Sequence, residues 1–114
     1  MFLFPSVVYD IMSGTFLING FRASVLFDSG ASMSFISTTF CSKLDKVPKD
    51  IRHLFEVEVA VGNSFFVTKA VEDCRIELAG HSFPIRLYLM SLGCFDVIIG
   101  MHWLATVDAY IVCG

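Results

Sequence analysis

Residues 25–37 read VLFDSGASMSFIS, and within them an apolar strand, Val25-Leu26-Phe27, runs directly into Asp28-Ser29-Gly30-Ala31-Ser32. A carboxylate at that place sits where the chain leaves the core. Gly30 lets backbone approach closely, and the neighbouring hydroxyls and amides are able to hold the carboxylate. Taken alone, Asp-Ser-Gly is more often an Asx-type turn than a catalytic loop. Outward from it the chain is patterned with period two. Phe16 and Ile18 alternate with Thr15 and Leu17, Asn19-Gly20 follows, and Ala23, Val25 and Phe27 then alternate with Arg22, Ser24 and Leu26. Two extended runs about Asn-Gly are the strongest short-range hairpin signal, so strands are expected near 14–19 and 21–27.

Further along, Phe55, Val57, Val59 and Val61 alternate with Glu56, Glu58 and Ala60, and Gly62-Asn63 turns this strand into Phe65 to Val71. A third pair sets Cys74, Ile76 and Leu78 against Phe83, Ile85, Leu87 and Leu89, joined through Ala79-Gly80-His81. Pro84 places its strand at an edge or at a strand start. Two short helices are expected. Ile36, Phe40 and Leu44 fall at i, i+4 and i+8 around Ser37, an N-cap, in a helix that Pro48 prevents from running on, and a second helix covers Met101 to Thr106 after Gly100. The fold class is all-β, seven or eight strands closed or rolled into a barrel, with one or two short helices.

At 114 residues the chain is one domain's worth, enough to bury roughly two-thirds of the surface that its unfolded form exposes. Residues 1–13 are read as an N-terminal extension and 14–114 as the domain. Apolar residues make up 55%, charged residues 17%, and mean hydropathy is +0.71, so disorder is excluded and part of the surface is expected to meet a partner. The longest uncharged stretch, Ser29 to Ser42, has 14 residues, seven of them Ser or Thr, against the ~20 apolar residues of a spanning helix; no membrane partner is expected. The formal charge of −3 comes without a basic cluster, so no nucleic-acid partner is expected either, and the mixed run Lys43 to Glu58 reads as solvated surface. The N-terminus lacks a basic segment and a cleavage pattern. Cys41, Cys74, Cys94 and Cys113 lie 33, 20 and 19 residues apart, which reads as buried free thiols in a reducing, cytoplasmic setting. His53, His81 and His102 have no partners at metal spacing, no Gly-x-Ser-x-Gly elbow exists for a serine nucleophile, and no metal or cofactor is expected. The 12 phenylalanines read as core, with Phe65 and Phe66 placed to line a groove; Trp103 with Leu104 also reads as core.

A second block changes the weight of Asp-Ser-Gly. FDVIIGMHWL at 95–104 gives a buried hydrophobic strand, a glycine and a helix, about 70 residues after LFDSGASMSFIS at 26–37. With the Asn19-Gly20 hairpin, VEVAVGN at 57–63 and CRIELAGHSFPIRLYL at 74–89 lying between and before them in order, the chain resembles the retropepsin-like aspartic protease of gypsy-type LTR retrotransposon Gag-Pol polyproteins. The resemblance implies the acid-protease half-barrel, a closed β-barrel, and an aspartic endopeptidase that hydrolyses polypeptide substrates. It implies that Asp28 is the catalytic carboxylate and that Ser29, with Gly30 in the active-site loop, locks two such loops together. Ala31 and Ser32, with Ala60, Val61, Gly62 and Asn63 of a flap, would bind substrate, and Ile98-Ile99-Gly100 would pack behind the loop. His102 stands where the family has an acidic or amide residue, Val61 replaces a polar residue before the flap glycine, and family members continue into another strand beyond the position of Gly114.

Peptide hydrolysis needs a base to activate water and an acid to protonate the carbonyl, and two adjacent carboxylates sharing one proton supply both. This chain has one Asp-Ser-Gly; Asp96 is followed by Val97-Ile98 and Asp108 by Ala109-Tyr110. The second carboxylate is therefore expected from a second copy, in a homodimer. The alternative is a catalytically silent retropepsin-like domain that serves as an oligomerisation or protein-binding module.

Overall fold

A computed structural model describes residues 11–58 and 64–113, as seven strands and two helices: β1 (Ile11–Ile18), β2 (Phe21–Asp28), β3 (Phe35–Ile36), α1 (Thr38–Lys43), β4 (Lys49–Glu58), β5 (Ser64–Leu78), β6 (His81–Leu89), β7 (Val97–Ile99) and α2 (Met101–Cys113). The strand order is β1-β2-β7-β3-β6-β5-β4, and a further β1–β5 pairing closes the first six of these into a barrel, leaving β4 attached to the outer half of β5. Closure removes the edges that an open sheet would expose.

The β1–β2 hairpin turns on Asn19 and Gly20, with φ of 50° and 84°, the two left-handed residues of a type I′ turn. The same turn seals the barrel. Asn19 donates its N–H to the Arg75 carbonyl at 2.9 Å, and its side-chain oxygen accepts from the Arg75 N–H at 2.8 Å. The β5–β6 hairpin uses Ala79 and Gly80, at φ of 50° and 80°, so His81 belongs to the strand and not to the turn. Alternation along β2 turns Ala23, Val25 and Phe27 inward, where they meet Ile18, Ile36, Ile76, Leu87, Val97 and Ile99.

Several expectations are corrected. The runs at 65–71 and 74–78 are halves of one 15-residue strand, β5. Glu72 and Asp73 form a bulge, with Asp73 at φ 59°, where β5 takes three steps between Val71 and Cys74 while β6 takes two. The added twist lets one half pair with β4 while the other closes on β1. Second, α1 ends at Lys43 with Asp45 left-handed at φ 57°, well before Pro48, and Ile36 lies in β3 ahead of the Ser37 cap, whose Oγ accepts from the Phe40 N–H at 3.0 Å. Third, the phenylalanines do not all enter the core: Phe27, Phe35, Phe40 and Phe83 are buried, whereas Phe21 is exposed, and so are Phe65 and Phe66, the two set apart from the core in the sequence, Phe66 at 70%. Aliphatic side chains fill much of the interior in their place. α2 runs seven residues past Thr106 to Cys113. It is held to β6 by Trp103, whose indole N–H donates to the Pro84 carbonyl at 2.8 Å and whose ring meets Phe83 edge-on. Pro84 itself falls inside β6, at a point where β5 flanks it and β3, which reaches only Tyr88 and Leu89, does not.

Candidate active site

Asp28 is the last residue of β2, and the ladder holds its backbone against Ile11 of β1 while Phe27 beside it pairs with Ile99 of β7. The chain then turns sharply: the Asp28 carbonyl accepts from the Ala31 N–H at 3.1 Å, and Oδ1 of its carboxylate accepts from the Gly30 N–H at 2.8 Å. A Cβ on residue 30 would stand 3.2 Å from that same Oδ1, so glycine allows the close turn. Asp28 and Ala31 are half-buried; Ser29, Gly30 and Ser32 face solvent. Among the described residues no cationic side chain forms an ion pair with Asp28.

The loop is fastened from behind by the start of α2. The N–H groups of Met101 and His102 donate to the carbonyls of Ala31 and Ser32, at 2.8 and 3.1 Å, and the Gly100 N–H donates to Ser34 Oγ at 2.9 Å. These are N–H groups that the first turn of a helix leaves without internal partners, and here the loop carbonyls satisfy them. Gly100 is required by space: a Cβ there would lie 2.2 Å from the Met33 carbonyl oxygen. The spacing between FDVIIG and DSG thus has a physical cause, since the strand brings its terminal glycine under the loop. His102 reaches the loop through its backbone, and its side chain is exposed, so the identity of that side chain does not bear on this contact.

Asp96 has a different task. Its Oδ2 accepts from the Ser24 N–H at 2.8 Å, its own N–H donates to the Ser24 carbonyl at 2.8 Å, and its carbonyl accepts from the N–H of the α1 cap, Ser37. Ser24, which Asp96 holds, lies four strand residues before Asp28, about 13 Å along β2. Asp96 is a clasp between β2, β7 and α1, and cannot share a proton with Asp28.

A family model described as retroviral aspartyl protease matches residues 6–114. The chain belongs to the retroviral aspartyl protease family. Its fold is similar to that of the EIAV protease complexed with the inhibitor HBY-793, at a TM-score of 0.68 and 18% identity, over 92% of this chain and 95% of that one. It is also similar to the retroviral protease-like domain of Ddi1 from Leishmania major, at a TM-score of 0.64 and 22% identity, over 86% and 78%. No curated protein sequence matches it.

In this aspartyl protease family member the loop residues Asp28, Ser29, Gly30, Ala31 and Ser32 come together at one barrel end. The flap residues expected to join them, Ala60, Val61, Gly62 and Asn63, lie outside the described residues. What is described of that hairpin is its base, where Phe55 and Val57 of β4 pair with Val67 and Phe65 of β5, and Phe55 packs edge-on against Tyr88 at 4.9 Å between ring centres. Asp96 and Ser34 were not singled out as working parts in the sequence, whereas Gly100 was expected, with Ile98-Ile99, to pack behind the loop, and its backbone does lie against Ser32 and Met33. Among the described residues no three His, Cys, Asp or Glu side chains converge as a metal site, and no helix is long and apolar enough to cross a membrane. Cys41 and Cys74 are buried free thiols, and burial pushes Cys74 up to about 11; Cys94, expected to be buried, is exposed on the loop before β7.

Proposed function

We propose that the chain is a homodimeric aspartic endopeptidase that cleaves the Gag-Pol polyprotein of a gypsy-type retroelement in a cytoplasmic setting, using Asp28 from each of two copies. The observation that carries this reading is the placing of Asp28: a half-buried carboxylate at the end of a barrel strand, turned onto the Gly30 N–H and backed by a loop that α2 clamps. One such carboxylate per chain supplies half of the chemistry. In the pair, the ionised Asp28 removes a proton from water as it attacks the peptide carbonyl, and the protonated Asp28 of the other copy gives its proton to the carbonyl oxygen. Collapse of the tetrahedral intermediate then returns a proton to the leaving nitrogen. In this reading Ser29, exposed beside Asp28, meets its counterpart across the two-fold axis, and Ala31, Ser32 and the 60–63 flap segment hold the substrate backbone.

A second reading is a catalytically silent retropepsin-like module for oligomerisation or protein binding. Peptide cleavage by the purified chain at mildly acidic pH, beside Asp28→Asn, decides between them. Pepstatin-sensitive cleavage that Asp28→Asn abolishes is the expected result; no cleavage by either protein supports the silent module.

A further inference from the structure

We propose that Ser34 is a positioning residue for the Asp28 loop, acting through the β7–α2 junction; as a role in catalysis this rests on the protease reading above. Ser34 is one of the two buried polar or charged residues among those described, 5% exposed, the other being the α1 cap Ser37. It stands where three elements meet. Its carbonyl accepts from the Tyr88 N–H of β6 at 2.9 Å, and its Oγ accepts from the Gly100 N–H at 2.9 Å, just before α2.

The consequence follows from what is tied on either side. Gly100 lies against the Ser32–Met33 backbone with no room for a Cβ, and the next two N–H groups hold the carbonyls of Ala31 and Ser32. Three successive donors, from Gly100, Met101 and His102, therefore grip three acceptors between residues 31 and 34. Only the grip at Ser34 is made by a side chain, so only there does residue choice decide whether the bond exists. Its loss leaves the buried Gly100 N–H without that acceptor and frees the end of the grip nearest the barrel wall. Asp28 follows, because its carbonyl is bonded to the Ala31 N–H and its carboxylate to the Gly30 N–H within the same turn.

The test compares wild type with Ser34→Ala and Ser34→Thr, at a chain concentration where all three sediment alike. Displacement of a reacting group by about 1 Å costs on the order of 100-fold in rate. Ser34→Ala is therefore expected to lose about ten- to a hundred-fold in kcat with KM within about twofold, and Ser34→Thr, which keeps the hydroxyl, to recover most of it. Hydrogen exchange provides a readout independent of turnover: the Gly100, Met101 and His102 amides should exchange faster in Ser34→Ala, with the β5–β6 amides unchanged. An active wild type whose Ser34→Ala variant keeps its kcat overturns the Ser34 proposal alone, as does exchange that is unchanged at residues 100–102. A wild type that exchanges as expected but cleaves nothing overturns the protease reading instead.

Discussion

Replacing Gly100 with alanine adds one methyl group at a crowded point behind the Asp28 loop. The new Cβ would lie 2.2 Å from the Met33 carbonyl oxygen and 2.8 Å from two backbone carbons of Ser32 and Met33, about 1.2 Å inside the range of ordinary contact. These neighbours are backbone atoms and cannot rotate away as a side chain would. Residues 31–33 or the α2 start must move by roughly that distance, at the cost of the bonds from Met101 and His102. Overpacking of this kind costs about 1–3 kcal/mol, and the backbone obstacle places Gly100→Ala at the upper end. For a domain of this length that is a fall in Tm of about 10–15 °C. Gly93→Ala is the control, since a Cβ there meets nothing within 4 Å, and a change within about 0.5 kcal/mol is expected. Thermal unfolding of both variants, followed by far-ultraviolet circular dichroism, makes the comparison, and peptide cleavage by the folded fraction of Gly100→Ala should fall about 100-fold. A Gly100→Ala protein that melts with Gly93→Ala would refute the reasoning, because it would mean that the loop does not rest on Gly100.

Other expectations follow from single contacts. Asp96→Ala should lower stability by about 1–3 kcal/mol by stranding the Ser24 N–H, seen as a lower urea midpoint at constant m; an unchanged midpoint would remove Asp96 from the clasp. Ala79 holds a left-handed φ of 50°, which costs an L-residue roughly 1–2 kcal/mol, so Ala79→Asn should raise Tm, and a lowered Tm would show that the turn is not of type I′. Burial raises the folded-state Cys74 thiol from 9.0 to about 11, so folding favours the protonated form. The stability involved is fully present below the unfolded thiol's value and is lost as pH rises towards 11. Wild type should thus lose Tm more steeply than Cys74→Ala between pH 9 and 11, and parallel curves would contradict the assignment. A thiol reagent should label the exposed Cys94 in the native protein well before Cys41 and Cys74, and equal rates would place all three in solvent.

How much of this was legible depended on whether a residue announces its own conformation. Asn19-Gly20 does, because both residues tolerate positive φ, and the hairpin fell where the sequence placed it. Ala79 does not: alanine rarely adopts φ of 50°, so the β5–β6 turn was read one residue too long, through His81. Glu72-Asp73 looked like a break between two strands because polar pairs usually mark turns, whereas here the Arg86 guanidinium, bonded to Glu72 at 2.7 Å, meets the bulge that keeps β5 continuous. The end of α1 was assigned to Pro48 on a general rule, but Asp45 had already left the helix in a left-handed conformation. At the site, Asp28 was legible because its chemistry is its own. The resemblance also put Gly100 behind the loop, but Ser34 was not legible, because its part in the site lies in a contact with Gly100, 66 residues away.

The central claim is that Asp28 acts as one half of a pair. Specific activity measured over a dilution series, beside sedimentation of the same samples, tests it most directly. The account predicts that activity per chain falls in step with the dimer fraction, and that mixing in excess Asp28→Asn chains suppresses the remainder by forming mixed pairs. Specific activity that stays constant while the chain sediments as a monomer would contradict it, because one carboxylate cannot serve as both acid and base.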